Sequence, residues 1–444
     1  MRPESGVYIF MKQCYSPPIM RIFSNSRAGS FLALSVCVLL AAASSAAQQQ
    51  KIKQIHASSD RPLWRVDLRS AGYPEDNPDL QRRRGFANFD TISFISDNIV
   101  AATFVTREDV PNPQRREDPN HISPYCLHAI FLDALTGETL RTFDWPVERP
   151  GAGIFSRYDG RFLLLTTDRI VSYSADWKQI DELPLSQLIP SSGSLGGIAE
   201  SPSGNSLVLQ FHLESTALCL KVHTDTLQSS ETPCGTLDTF TASDDGIVAP
   251  ENLGDGEALR EFRPGGASIE YGVAVPESPS EARGKSREPV TIVTVCDPCP
   301  GIPQFINNDT IALYTPTNIR IMDRAGKIKL TQKFDVASNW IDEFGRPVRS
   351  SANGQRFAVA SNALKLPATK DASFAIHVST GDIPAEFPYD VKVYDLQAAQ
   401  WIYTLQINAD HLRQIWGLAL SPSGEKLAID SRGTIQVFAL PPAK

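Results

Sequence analysis

One local pattern recurs along this chain and limits its fold more than any other feature. It is a polar turn followed by a run of aliphatic and aromatic residues. In order, the stretches are "FISDNIVAATF" (94–104), "SRYDGRFLLLT" (156–166), "ESPSGNSLVLQ" (200–210), "ASDDGIVA" (242–249), "INNDTIALYT" (306–315), "SANGQRFAVAS" (351–361) and "LSPSGEKLAID" (420–430). Gly, Asn and Asp tolerate the positive φ that tight hairpin turns demand, so each stretch reads as a β-hairpin. The runs after the turns are apolar nearly throughout, as in strands covered on both faces.

A third strand follows most hairpins, as in "RIVSYSA" (169–175), "LCLKVHT" (218–224), "NIRIMDR" (318–324), "VKVYDLQ" (391–397) and "TIQVFAL" (434–440). Several run on through a turn into a fourth: "FLDALTGETLRTFDWP" (131–146), "IMDRAGKIKLTQKF" (321–334) and "VYDLQAAQWIYTLQI" (393–407). A unit of four antiparallel strands repeated about every 40 residues is a propeller blade. Gly160, Gly204 and Gly246 follow at intervals of 44 and 42 residues. Longer gaps hold inserts at 107–120, 276–289 and 364–389. The expected fold is an all-β, seven-bladed β-propeller, or eight-bladed if an insert hides a divergent blade.

The last hairpin and its third strand end near the C-terminus without a fourth strand. "RPLWRVDLRSAG" (61–72) has the alternation of an outer strand and no blade before it. It is expected to dock beside Ile435–Leu440 and seal the ring, which removes two open sheet edges. The domain is then 61–444, preceded by a short linker at 48–60.

Residues 1–47 read as a secretory signal peptide. Arg21 and Arg27 precede an apolar run from Phe31 to Ala43, and Ser44–Ala47 supplies the small residues of a cleavage site. Met20 is an alternative start. The remainder is expected to be secreted or periplasmic, without a membrane segment and monomeric. The net charge of −8 gives no electrostatic footprint for nucleic acid. Cys126, Cys219, Cys234, Cys296 and Cys299 remain after cleavage, and export favours disulfides among them. Cys219 and Cys234 flank a hairpin at similar distances from its turn near Asp225–Gln228 and are expected to pair. "VCDPCPG" (295–301) places Cys296 and Cys299 in a Cys-x-x-Cys, expected to be a short structural disulfide. Redox or metal roles for it lack a helix N-terminus or a second Cys pair. Cys126 is then the odd thiol.

"SPSGEKLAI" and "SPSGNSLVL", with the third-strand Asp and turn of "FLDALTGETL" and "VYDLQAAQWI", resemble the exported bacterial WD-repeat-like β-propeller superfamily, of quinoprotein-like and YVTN type. The resemblance covers most of 61–441 and implies a fold, not one function. It departs from true WD repeats in lacking their Gly-His and Trp-Asp dipeptides. "DALTGETLR" (133–141) has Arg141 where quinoprotein repeats carry Trp, so no quinone or other cofactor is expected. "SRYDG" and "SDDG" miss the spacing of sialidase boxes.

"HISPYCLH" (121–128) groups His121, Cys126 and His128, and a strand would put Cys126 and His128 on one face. One strand cannot complete a metal site, and no metal is expected there. No Gly-x-Ser-x-Gly occurs. Asp67, Asp133, Asp323 and Asp395 recur at equivalent places and read as caps of the turns that follow. Trp340, Phe344 and Trp416 fall on connections entering innermost strands, which line one mouth of a propeller channel. They are the candidate ligand-binding residues. The expected function is a non-enzymatic binding scaffold for a protein, peptide or glycan. The alternative is a hydrolase or lyase assembled at the channel mouth.

Overall fold

The computed structural model describes residues 53–54, 62–74, 91–112, 121–149, 151–188, 194–213, 217–232, 240–252, 257–262, 268–272, 291–294, 302–314, 318–333, 348–362, 375–378, 389–407, 417–431 and 433–442. Within 50–444 they build four-stranded antiparallel sheets, each continuous in sequence from inner to outer strand. The first comprises Ile92–Ser96, Ile99–Thr106, Tyr125–Asp133 and Thr139–Val147. The second comprises Gly153–Ser156, Phe162–Leu165, Arg169–Tyr173 and Gln179–Pro184. The third comprises Ser194–Glu200, Ser206–His212, Ala217–His223 and Ser229–Thr232. The fourth runs from Thr241–Ala242 to Ser268–Gly272, the fifth from Ile302–Asn307 to Ile328–Lys333, and the sixth from Val348–Ser350 to Gln400–Ile407.

Six sheets are thus regular four-stranded blades, one fewer than the seven hairpins led us to expect. The hairpin at Gly424 lies instead in a five-stranded closing sheet, whose order is Gly417–Leu420, Lys426–Ser431, Thr434–Ala439, Trp64–Asp67 and Lys53–Gln54. Trp64 pairs with Val437 and Val66 with Ile435, so the N-terminal strand docks on the C-terminal hairpin unit as expected. Lys53–Gln54 adds an outer strand from within the segment read as a linker. Residues in and just beyond the inserts form ladders of two strands among the described residues, not a further four-stranded sheet. These are Val110–Pro111 with Ile122–Ser123 and Thr291–Thr294 with Ala375–Val378.

Burial follows strand position. Phe162–Leu165, Ser206–Phe211 and Thr310–Tyr314 are buried along their whole length, whereas Thr139–Thr142 and Gln179–Asp181 on outer strands are exposed. Each second strand is covered by a neighbouring sheet on either face, which is why its sequence is apolar without alternation. The apolar clusters bridge successive sheets. Phe131 and Leu127 of the first pack with Phe162 and Leu164 of the second, and Leu163 of the second with Leu207 and Leu209 of the third. Val208 meets Ile247, Val248 meets Phe305, and Tyr314 meets Phe357. Val391 meets Leu427, and Ile435 and Val437 of the closing sheet meet Phe94 and Val100 of the first. The circuit is closed. The chain is a β-propeller.

Glycine is required where the ring is tightest. A Cβ on Gly197, on an innermost strand, would meet the Phe240 ring at 2.7 Å. Gly137 has φ +73°, and a Cβ there would meet the Trp64 indole at 2.7 Å. That indole donates from Nε1 to the Ala134 carbonyl at 3.0 Å, tying the N-terminal strand to the first sheet.

Candidate functional site

The two edges of the ring differ. At one edge lie the seven hairpin turns quoted above, and each is bonded to a turn of the next sheet. Ser423 N donates to Asp97 Oδ1 at 2.9 Å, joining the closing sheet to the first. Gly160 N donates to Ile95 O at 3.0 Å, joining first to second. The Arg157 guanidinium pairs with Asp225, joining second to third. Ser203 Oγ donates to Asp244 Oδ1 at 2.7 Å, and Asn308 Nδ2 donates to Asp244 Oδ2 at 3.1 Å, joining third to fourth and fourth to fifth. Asn307 Nδ2 donates to Gly354 O at 2.9 Å, and Arg356 Nη1 to Gly424 O at 2.8 Å, which completes the circle. The Ser, Asn and Asp side chains that shape these turns also bind the neighbouring turn.

The aspartates read as caps do cap. Asp133 Oδ1 accepts from the amides of Leu135 and Thr136, Asp323 Oδ1 from Ala325 and Lys327, Asp395 Oδ1 from Gln397 and Ala398, and Asp67 Oδ1 from Arg69. Their recurrence is structural.

The opposite edge receives the longer connections. The chain leaves a strand there at 106, 272, 333, 362 and 407 and re-enters one at 125, 302, 348, 389 and 417, apart from the two short ladders. Trp340, Phe344 and Trp416 belong to these connections and lie outside the described residues, as do Cys234, Cys296, Cys299 and the signal segment 1–47. Cys219 is buried in the third sheet opposite Thr232, and the turn expected near Asp225–Gln228 is closed by the His223 amide on the Gln228 carbonyl.

At this edge of the first sheet the structure collects a cluster that the sequence only half revealed. Cys126 and His128 share a face of Tyr125–Asp133, and Glu108 is brought over them by the small ladder of Val110–Pro111 with Ile122–Ser123. One ligand atom each from Glu108, Cys126 and His128 lie within 4.8 Å of one another. His128 Nδ1 and Asp144 Oδ1 are 2.7 Å apart, because register places Asp144 opposite His128 on the outer strand. His128 Nε2 faces Glu108 Oε1 at 3.0 Å and Thr106 Oγ1 at 2.7 Å. The Phe104 ring stacks on the imidazole with centroids 4.8 Å apart, and Tyr73 meets Phe104 edge-on at 5.5 Å. Burial disfavours the imidazolium, but hydrogen bonds to Asp144 and Cys126 and their charges outweigh it and push the His128 pKa up to about 10. Cys126 is a free thiol and 2% exposed.

His121, grouped with Cys126 and His128 in the sequence, is not part of this cluster. It bonds Glu148 at 2.8 Å, and Glu148 also accepts from Ser123 Oγ at 2.8 Å. Asn112 Nδ2 donates to Ser123 Oγ at 2.9 Å, so this second network fixes the ladder that carries Glu108. Neither Glu108 nor Asp144 was visible as a partner of His128 in sequence. Asp144 needed the strand register, and Glu108 sits in the polar insert.

No protein-family model matches the chain, and no curated protein matches it. Among solved structures it is similar to the Neurospora crassa Pan2 WD40 domain at 10% identity, covering 88% of this chain and 99% of that one, with a TM-score of 0.36. It is similar to the C-terminal WD40 domain of Sif2 at 13% identity, 80% and 96% coverage and a TM-score of 0.38. The RRP9 WD40 repeats give 10% identity, 88% and 98% coverage and 0.44. At such scores the fold rests on the sheets of this chain, not on the likenesses.

Proposed function

We propose that this chain is a non-enzymatic β-propeller scaffold that binds a protein, peptide or glycan through the edge carrying its long connections. Counting the closing sheet as a blade gives a ring of seven. The observation behind the reading is the asymmetry of the ring. One edge is knitted turn to turn, while the other anchors connections of variable length on rigid strand ends, the division expected of a recognition scaffold. Trp340, Phe344 and Trp416 are proposed to supply aromatic contacts, since Trp and Tyr dominate binding hot spots. We further propose export by the segment 1–47 and a Cys219–Cys234 disulfide. Cys219 is not a free thiol, and Cys234 follows its strand partner Thr232 by two positions in the sequence.

The test pairs two sets of variants. Trp340→Ala, Phe344→Ala and Trp416→Ala should leave the thermal midpoint within a few degrees while reducing retention on peptide and glycan arrays at least tenfold. Asp97→Ala should lower the midpoint and leave retention on the same arrays intact. Equal retention by all four variants would remove the proposed binding edge.

The hydrolase or lyase alternative has one constellation in its favour, the Cys126–His128–Asp144 series. Its sulfur is buried at 2% exposure, which denies a substrate the approach a nucleophile requires.

A further inference from the structure

The cluster around His128 has more organisation than a strand-edge ion pair needs. Three donors of different chemistry converge: a carboxylate from Glu108, a thiol from Cys126 and an imidazole from His128. A zinc ion with bonds of about 2.0–2.3 Å holds tetrahedral ligands roughly 3.3–3.7 Å apart. Ligand atoms already within 4.8 Å of one another need only small side-chain rotations to meet that geometry. We propose that Glu108, Cys126 and His128 form a binding site for a borderline-soft divalent cation, zinc foremost, with a fourth position open to solvent.

Four independent features support the site. Asp144 engages Nδ1 of His128, which leaves Nε2 directed at Glu108 and the Thr106 hydroxyl. Metal-binding histidines almost always have their second nitrogen held by a carboxylate or carbonyl in this way. The imidazole plane is fixed by the Phe104 ring beneath it, so the ligand is oriented in advance. Cys126 is a free thiol, and the sulfur selects zinc or cobalt over magnesium or calcium. Lastly, the Glu108 side chain is 51% exposed, which gives an ion an entry path beside two more sheltered ligands.

The position gives the site a purpose. Glu108 enters on the insert 107–120, whereas Cys126, His128 and Asp144 belong to the sheet. A cation would clamp the insert to the blade at the edge proposed for recognition. The rival account is a cation-free cluster in which a protonated imidazole bridges Asp144 and Glu108.

The experiment uses the full chain carrying Cys296→Ser and Cys299→Ser, so that the Cys-x-x-Cys contributes no metal. The protein is stripped with chelator and dialysed against zinc or cobalt, and bound metal is measured by elemental analysis. One ion per chain is expected, with a thiolate-to-cobalt charge-transfer band in the near ultraviolet. Cys126→Ser should abolish the band, and Glu108→Gln, on an exposed side chain, should reduce retention without disturbing the circular dichroism. Asp144→Asn keeps every ligand and should weaken binding about 10- to 100-fold. Folded protein that retains no stoichiometric zinc or cobalt would establish the cation-free cluster. Retention unchanged in both Cys126→Ser and Glu108→Gln would place the ion elsewhere and equally overturn the proposal.

Discussion

Ser423 and Asp97 stand 326 positions apart in the chain, yet the Ser423 amide donates to the Asp97 carboxylate at 2.9 Å. Lys426 Nζ reinforces the junction by donating to the Asp97 carbonyl at 2.9 Å. This is the point on the hairpin edge where the last sheet meets the first. Asp97→Ala removes the acceptor of a part-buried amide and should cost about 1–2 kcal/mol. Urea unfolding checks the value, and Asp97→Asn should recover much of it because the amide oxygen still accepts.

Trp64 is expected to matter more than any other residue outside the repeats. Its ring fills the space above Gly137, and its Nε1 is bonded to Ala134. Trp64→Ala should destabilise by about 3–5 kcal/mol. A chain beginning after residue 74 should fail to give a cooperative thermal transition, since the Thr434–Ala439 strand is then left as an open edge.

Gly137→Ala combines a backbone and a packing penalty. The φ of +73° is strained for alanine, and the new Cβ would displace the Trp64 ring. A loss of at least about 1–2 kcal/mol is expected. In the Trp64→Ala background the loss should be smaller, and a double-mutant cycle measures the coupling between them.

Arg356 is 1% exposed and is bonded to Asp395 at 3.1 Å and to the Gly424 carbonyl. Removing one partner of a buried pair leaves an uncompensated charge, so Arg356→Ala should cost about 3–5 kcal/mol. Arg356→Ala combined with Asp395→Asn should recover part of that loss, as read from denaturation midpoints.

Acid should act on the hairpin edge first. Burial opposes ionisation of Asp245 and Asp395. The Arg324 guanidinium outweighs it at Asp245, and the Ala398 amide with Arg356 outweighs it at Asp395, so both carboxyls are held below the usual range. Groups with depressed folded pKa values stabilise above their unfolded value and lose that contribution as pH falls through the folded one. The thermal midpoint should therefore be level from neutral pH to about pH 5 and fall below about pH 4. Asp245→Asn should flatten the acid limb. In the cation-free protein His128 has the opposite sign: its contribution is complete below the ordinary imidazole range and fades as pH rises towards about 10.

Much of this architecture was legible because turn chemistry and burial write themselves into short segments. Gly160, Gly204, Gly354 and Gly424 all have positive φ, so their recurrence marked the hairpins. The unbroken apolar run at Phe162–Leu165 announced a strand covered on both faces. Residue pairs that meet only through register or ring geometry were not legible. Asp144 sits opposite His128, and Glu108 reaches it from an insert that composition marked merely as polar. The bonds from turn to turn were hidden likewise, since Asn307 and Asn353 looked like ordinary turn formers and their partners lie in the next sheet.

A sheet shared between residues 53–67 and 417–439 also sets the order of assembly. While the polypeptide is being made, Trp64 has no strand to join until position 439 has emerged. The first blade must then wait with one flank bare, and chaperones that shield that flank would raise the yield of finished molecules. Moving the chain's two ends to the exposed turn at 175–178 would transfer the wait to the second sheet, because Gln179–Pro184 would then be made first and its partner Arg169–Tyr173 last.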